Sequence, residues 1–211
     1  MFRFGLPLLL LAALVASCAT LSEEQCTYGD WEVLGREDGA QGRNIGRFQR
    51  YIEDCGKHGI RPDSAAYDRG RERGLNEFCT PVGVYTNGLR GRGNVSLCGN
   101  DPDLLRIHRA AWEYNETKNE LERMRGEYDD LFSDRRRARR EIERFRRRLR
   151  DDELTDEERD ELQRSISRRF RRLDDIEREE YRLRFRLRDL ERDLDRQAFA
   201  LAQVEQEFGL R

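Results

Sequence analysis

The sequence predicts an all-α protein in two parts, a small disulfide-stapled helical domain followed by a long antiparallel coiled-coil helical hairpin. Three observations carry this expectation. Residues 18–100 hold fourteen of the seventeen glycines and four cysteines suited to disulfides, whereas residues 101–211 hold two glycines and, after Pro102, no proline. The second stretch repeats apolar residues at alternating steps of three and four, the 3.5-residue period of helices that wind around each other. The chain is 40% charged and only 36% apolar, with a mean hydropathy of -0.97, a composition that disfavours a thick enzyme-like core.

The N-terminus reads as an export signal over residues 1–17. Arg3 supplies a short positive region, Leu6 to Val15 an apolar stretch, and Ala16 and Ser17 the small residues of a cleavage site. Val15-Ala16-Ser17-Cys18 resembles the bacterial lipobox, in which the cysteine is acylated and becomes the new N-terminus. Cys18 is therefore the expected lipidation site, and the expected mature chain has 194 residues. Several acyl chains hold a protein on a bilayer far better than one. In lipoproteins of this type an Asp after the modified cysteine marks inner-membrane retention. Ala19 stands there, so the resemblance implies the outer membrane, facing the periplasm.

Residues 18–100 form the first expected domain. Beyond Cys18, the remaining cysteines are Cys26, Cys55, Cys79 and Cys98, enough for two disulfides in an oxidising compartment. No C-x-x-C occurs, and His58 and His108 are not spaced as zinc partners, so neither metal nor cofactor is expected. Ser22-Glu23-Glu24-Gln25 and Asp63-Ser64-Ala65-Ala66 each open a helix. A weak repeat sets an aromatic before spaced glycines: Trp31, Gly35, Gly39; Tyr67, Gly70, Gly74; Tyr85, Gly88, Gly91. Glycines at that spacing clear one helix face for close backbone approach. If residues 23–40 and 45–56 form an antiparallel pair, Cys26 falls beside Cys55, leaving Cys79 to meet Cys98 across the Tyr85 segment. Each bridge stabilises a small core by roughly 3 to 4 kcal/mol.

A resemblance runs through the same stretch. Glu24-Gln25-Cys26, Gly29-Asp30-Trp31, Gly35 and Asp38-Gly39 come first. Cys55, Lys57-His58-Gly59, Pro62-Asp63, Tyr67, Gly70-Arg71-Glu72, Gly74-Leu75 and Cys79-Thr80-Pro81 follow in order. Together they are similar to the proteobacterial lipoprotein family carrying the domain of unknown function numbered 2799, over about residues 22–99. The resemblance implies an envelope lipoprotein with no characterised activity, and it is silent on the second half.

That half, residues 101–211, is expected to hold helices at about 102–150 and 156–208. Asp101 caps the first with Pro102 in its first position, and Thr155 with Glu158 has capping-box spacing at the start of the second. One seam runs Ile107, Ala110, Tyr114, Thr117, Leu121, Met124, Tyr128, Leu131, Arg135, Ala138, Ile142, Phe145, Leu149. The other runs from Leu162 through Ile166, Arg169, Leu173, Ile176, Glu180, Leu183, Leu187, Leu190, Leu194, Gln197, Leu201 and Val204 to Phe208. Folding about residues 151–154 brings the seams into register over arms roughly 63 Å long. Parallel dimerisation is the rival arrangement. Arg135 and Glu180 intrude on the seams, either as long side chains reaching solvent or as an ion pair fixing register.

Charge is banded along the hairpin. Residues 135–150 carry ten arginines and two acids, residues 151–161 eight acids and one arginine, and residues 162–176 return to a net +3. Arg136, Arg139, Arg140, Arg147, Arg168 and Arg172 would form a collar below an acidic tip, open to lipid headgroups, cell-wall carboxylates or an acidic protein face. The bland alternative is a solvated surface of internal ion pairs. With 41 basic against 43 acidic side chains and a net charge of -2, the chain lacks the basic field of a nucleic-acid binder. No nucleophile elbow, phosphate loop or H-E-x-x-H occurs. The expected role is non-enzymatic: a structural or docking protein, membrane-bound through its anchor, using the hairpin as a periplasmic arm toward an envelope protein or a second copy. The alternative is a cell-wall or small-ligand binding module in the cysteine-rich half, lined by Tyr28, Trp31, Tyr51 and Tyr67 and oligomerised by the coiled coil.

Overall fold

The computed structural model describes residues 21–210, so the signal segment and Cys18 lie outside the described residues. Helices are α1 Glu23–Tyr28, α2 Trp31–Ala40, α3 Gly46–Gly56, α4 Ser64–Phe78, α5 Pro81–Gly88, α6 Pro102–Arg148 and α7 Asp156–Phe208, with a 3-10 turn at Val95–Cys98 before α6. No strand occurs among the described residues. Local sequence sets the starts. Ser22 and Gln25 form a reciprocal capping box, Asp63 accepts from Ala66 N, and Asp101 accepts from Asp103 N and Leu104 N. Thr155 and Glu158 form a second capping box at the hairpin turn.

Both expected disulfides are present, Cys26–Cys55 and Cys79–Cys98. The packing that produces them differs from the premise of one helix over residues 23–40 lying against 45–56. Gly29 is extended (φ -66°, ψ 139°) and Asp30 caps a fresh helix by accepting from Glu32 N and Val33 N, so the run breaks into α1 and α2. The bridge ties the short α1 to α3, and α2 packs instead on α4.

The α2–α4 contact explains the glycine repeat, because its first two copies are each other's partner. A Cβ at Gly35 would overlap the Tyr67 carbonyl oxygen, and one at Gly39 that of Arg71; Gly70 and Gly74 stand the same way to Glu32 and Arg36. Contacts advance together along both helices, so the pair is parallel and nearly symmetric. The third copy behaves differently. Gly88 admits Ala111 of α6, where a Cβ would lie 2.8 Å from the alanine methyl, and Gly91 takes a left-handed turn (φ 62°).

Phe78, Val84 and Ile107 are fully buried and form, with Leu104 and Val204, a core shared by α4, α5 and the base of the hairpin. Beyond it α6 and α7 run antiparallel, and every residue of the two expected seams is buried or half-buried. At 1.5 Å per residue, α6 is about 70 Å long.

Ala at Gly35 or Gly70 is expected to lower stability by about 2 kcal/mol or more, because the obstacle is backbone that cannot move alone. Gly126→Ala, at an exposed α6 position with nothing within 4 Å of an added Cβ, should instead stabilise by about 0.5 to 1 kcal/mol. Urea unfolding followed by tryptophan fluorescence and circular dichroism checks both signs.

Candidate functional site

The arm is built around one polar rung. Arg135 Nη1 donates to Glu180 Oε2 at 2.8 Å, and Glu180 is only 2% exposed. Of the two readings of these seam intrusions, the ion pair is the one observed. On the base side lies a layer of Leu121, Met124, Leu183 and Leu190, and on the tip side one of Ala138, Ile142 and Leu173. Sliding one helix by a heptad would set a buried carboxylate against aliphatic side chains, which is strongly unfavourable. Further pairs follow the same register: Arg125–Glu191 at 2.9 Å, Arg186–Glu120 at 2.6 Å and the half-buried Arg169–Glu141 at 2.7 Å.

The structure places all six collar arginines in the distal part of the arm, exposed. Arg139 reaches Glu177 at 3.9 Å and Arg172 reaches Asp134 at 3.3 Å. Arg168 hydrogen-bonds only Ser165, and Arg136 lies over the Phe132 ring at 5.9 Å. Arg136, Arg140, Arg147 and Arg168 have no carboxylate within ion-pair distance among the described residues. The acids of the tip are exposed as well. Its one cation, Arg159, is occupied in closing the turn, donating to Leu149 O at 3.2 Å and Asp151 O at 2.8 Å. Sequence reading missed that role, and a lone arginine in an acidic tip was its only signal.

Of the aromatics proposed as a pocket lining, Tyr51 and Tyr67 fill the core and Trp31 packs against it. Tyr67 and Tyr51 are 0% and 2% exposed, Phe48 stacks on Tyr67 at 4.2 Å, and Trp31 tilts against Tyr51; Tyr28 points away, 82% exposed. Around them sits a polar node that the sequence did not single out. Asp38, 2% exposed, accepts from Tyr67 Oη at 2.9 Å and Arg43 Nη1 at 3.1 Å, while Arg47 donates to Tyr51 Oη at 2.9 Å. Burial, reinforced by the Asp38 charge, pushes the Tyr67 phenol well above its ordinary range, and burial raises Tyr51 also. His58, in the turn after α3, lies 3.4 Å from Glu23 of α1, and His108 faces the Arg92 carbonyl at 3.2 Å. Among the described residues, no group of three His, Cys, Asp or Glu side chains converges to hold a metal ion, and no helix is long and apolar enough to cross a membrane.

Residues 30–113 match the model of a family described as a protein of unknown function (DUF2799). The match takes in α2 to α5 and ends within α6, in the turns that pack on α5. No curated protein and no solved structure matches the chain.

Two expectations arise from this geometry. Arg135→Leu alone leaves Glu180 buried and unpaired and should cost about 3 to 5 kcal/mol, whereas adding Glu180→Leu should return stability to within about 1 kcal/mol of the parent or above it. Thermal melts of the single and double variants decide this. The raised Tyr67 pKa means that the folded chain holds its phenol proton more tightly than the unfolded one. Its contribution is full below about pH 10 and declines as pH rises further. Urea midpoints between pH 8 and 11 should therefore fall at the alkaline end, and less steeply in Tyr67→Phe.

Proposed function

We propose that this chain is a non-enzymatic envelope lipoprotein, anchored through acylated Cys18 at the outer membrane, whose hairpin is a stiff periplasmic arm that docks an acidic surface of another envelope protein. The observation that carries the reading is how charge is allocated along the arm. Near the base, arginines meet carboxylates within the molecule, as in Arg125–Glu191, Arg186–Glu120 and Arg123–Glu127. Toward the tip they increasingly do not, and Arg136, Arg140, Arg147 and Arg168 are left exposed with guanidinium donors for an outside acceptor. Those residues stand about 40 to 65 Å along the helix pair from the core at Ile107, given 1.5 Å per residue. Arginine suits such a contact, since its planar fork pairs carboxylates in bidentate fashion and loses little hydration.

The lipobox and the DUF2799 match over residues 30–113 support the setting, the first through sequence pattern and the second through kinship of the small module. A photo-reactive residue at position 139, in cells, should capture one enriched envelope protein. Arg136→Gln, Arg140→Gln and Arg147→Gln combined should reduce that capture at least tenfold while leaving the melting temperature within about 2 °C, because these exposed side chains make no ion pair in the fold. Capture of nothing but the chain itself, or capture indifferent to the three substitutions, would exclude the docking-arm reading.

A further inference from the structure

Away from the arm, the small module holds one charge that nothing in the fold accounts for. Arg71 of α4 is 8% exposed, yet it makes no ion pair or hydrogen bond among the described residues, and its Nη1 is buried without an acceptor. The contrast with Asp38 is direct, since that buried carboxylate is met by Tyr67 and Arg43. A buried charge without a counter-charge is costly, and departures of this kind from polar satisfaction concentrate at functional or strained sites.

Arg71 lines an open cleft of about 470 Å³ between α4 and the Val95–Cys98 turn. Asp68, Glu72 and Asn76 line the same cleft, with Leu75, Leu97 and the second disulfide as its apolar part. Neither carboxylate pairs with Arg71. A simple anion entering the cleft would meet two negative charges, and a simple cation would meet the buried guanidinium. A ligand carrying both signs satisfies all three groups.

We propose that this cleft binds an α-amino-acid headgroup, its carboxylate on Arg71 and its ammonium on Asp68 and Glu72, with a short side chain against Leu75 and Leu97. The headgroup belongs either to a free amino acid or to a diamino-acid side chain of the cell-wall peptides whose outer amine and carboxylate are both free, which offers the same chemistry. The site is independent of the collar, so collar variants should leave it intact.

The test uses the full-length protein. Alanine should raise its melting temperature and shift the Arg71 Nε–Hε NMR signal, while propionate and ethylamine, each with one of the two charges, should act at least tenfold more weakly. Arg71→Met should melt at or above the parent without ligand and lose the alanine response. Co-sedimentation with purified sacculi that falls at least tenfold in Arg71→Met assigns the headgroup to the cell wall; an alanine response without sacculus binding assigns it to a free amino acid. An Arg71 signal that stays still under alanine overturns the proposal, and this reading holds even if Arg71→Met fails to fold. An equal response to propionate overturns the two-charge recognition.

Discussion

The direction of the whole arm is set by one apolar knot at its base. Ile107, Phe78 and Val84 are sealed from solvent, and Val204 with Phe208 closes the knot from the returning helix. Around it, Tyr85 donates to Glu205 at 2.5 Å and Arg106 pairs with Glu207. A helix pair some 70 Å long is a lever, and a lever transmits position only if its root is stiff. The composition break near residue 100 therefore falls before the packing break. The small module completes its core with the opening turns of α6, burying Leu104, Ile107, His108 and Ala111, and the family match likewise runs on to residue 113. Past Asn115, which still meets Gly91, the apolar layers of α6 are shared with α7.

The module itself solves a different problem, folding with few large apolar residues. Its answer is proximity. Gly35, Gly39, Gly70 and Gly74 bring the backbones of α2 and α4 together so closely that no side chain fits between them. Each glycine costs helix propensity of roughly 0.5 to 1 kcal/mol relative to alanine, and the two disulfides and dense backbone contact offset that cost. The same approach draws Asp38, next to Gly39 in sequence, into the interior, where a phenol and a guanidinium must accompany it. The polar node is thus a consequence of the glycine face rather than an addition to it.

What the sequence made legible follows from how local each signal is. Heptad periodicity is a property of consecutive residues, and every expected seam position is buried or half-buried in the fold. Caps are local too, and Ser22, Asp63, Asp101 and Thr155 all act as expected. The disulfides came out right although their stated premise did not, because short α1 reaches α3 whichever helix α2 prefers. The parallel α2–α4 pairing was hidden because glycine spacing says that a face is narrow without naming its partner. Arg71 was hidden for a related reason. It lies among the residues of the Tyr67–Gly74 face, and nothing in a string of letters separates a buried arginine from a solvated one.

Of the 41 basic residues, only Lys57 and Lys118 are lysine, and the arm shows what that choice achieves. Its surface carries large exposed aromatics, including Phe132, Phe170 and Phe185. Guanidinium groups lie over these three: Arg135 and Arg136 over Phe132, Arg146 over Phe170 at 5.4 Å, and Arg188 over Phe185 at 4.5 Å. A planar cation can shade a ring with its face and keep its N–H edge outward, which a compact ammonium does less well. Stacking also restrains the long side chain, so less freedom is lost when an outside carboxylate is met. Arg135 and Arg146 spend that edge on Glu180 and Glu143, whereas Arg136 and Arg188 have no carboxylate within ion-pair distance among the described residues. Stiffness, solubility and unsatisfied donors in the distal arm thus arise from the same residues.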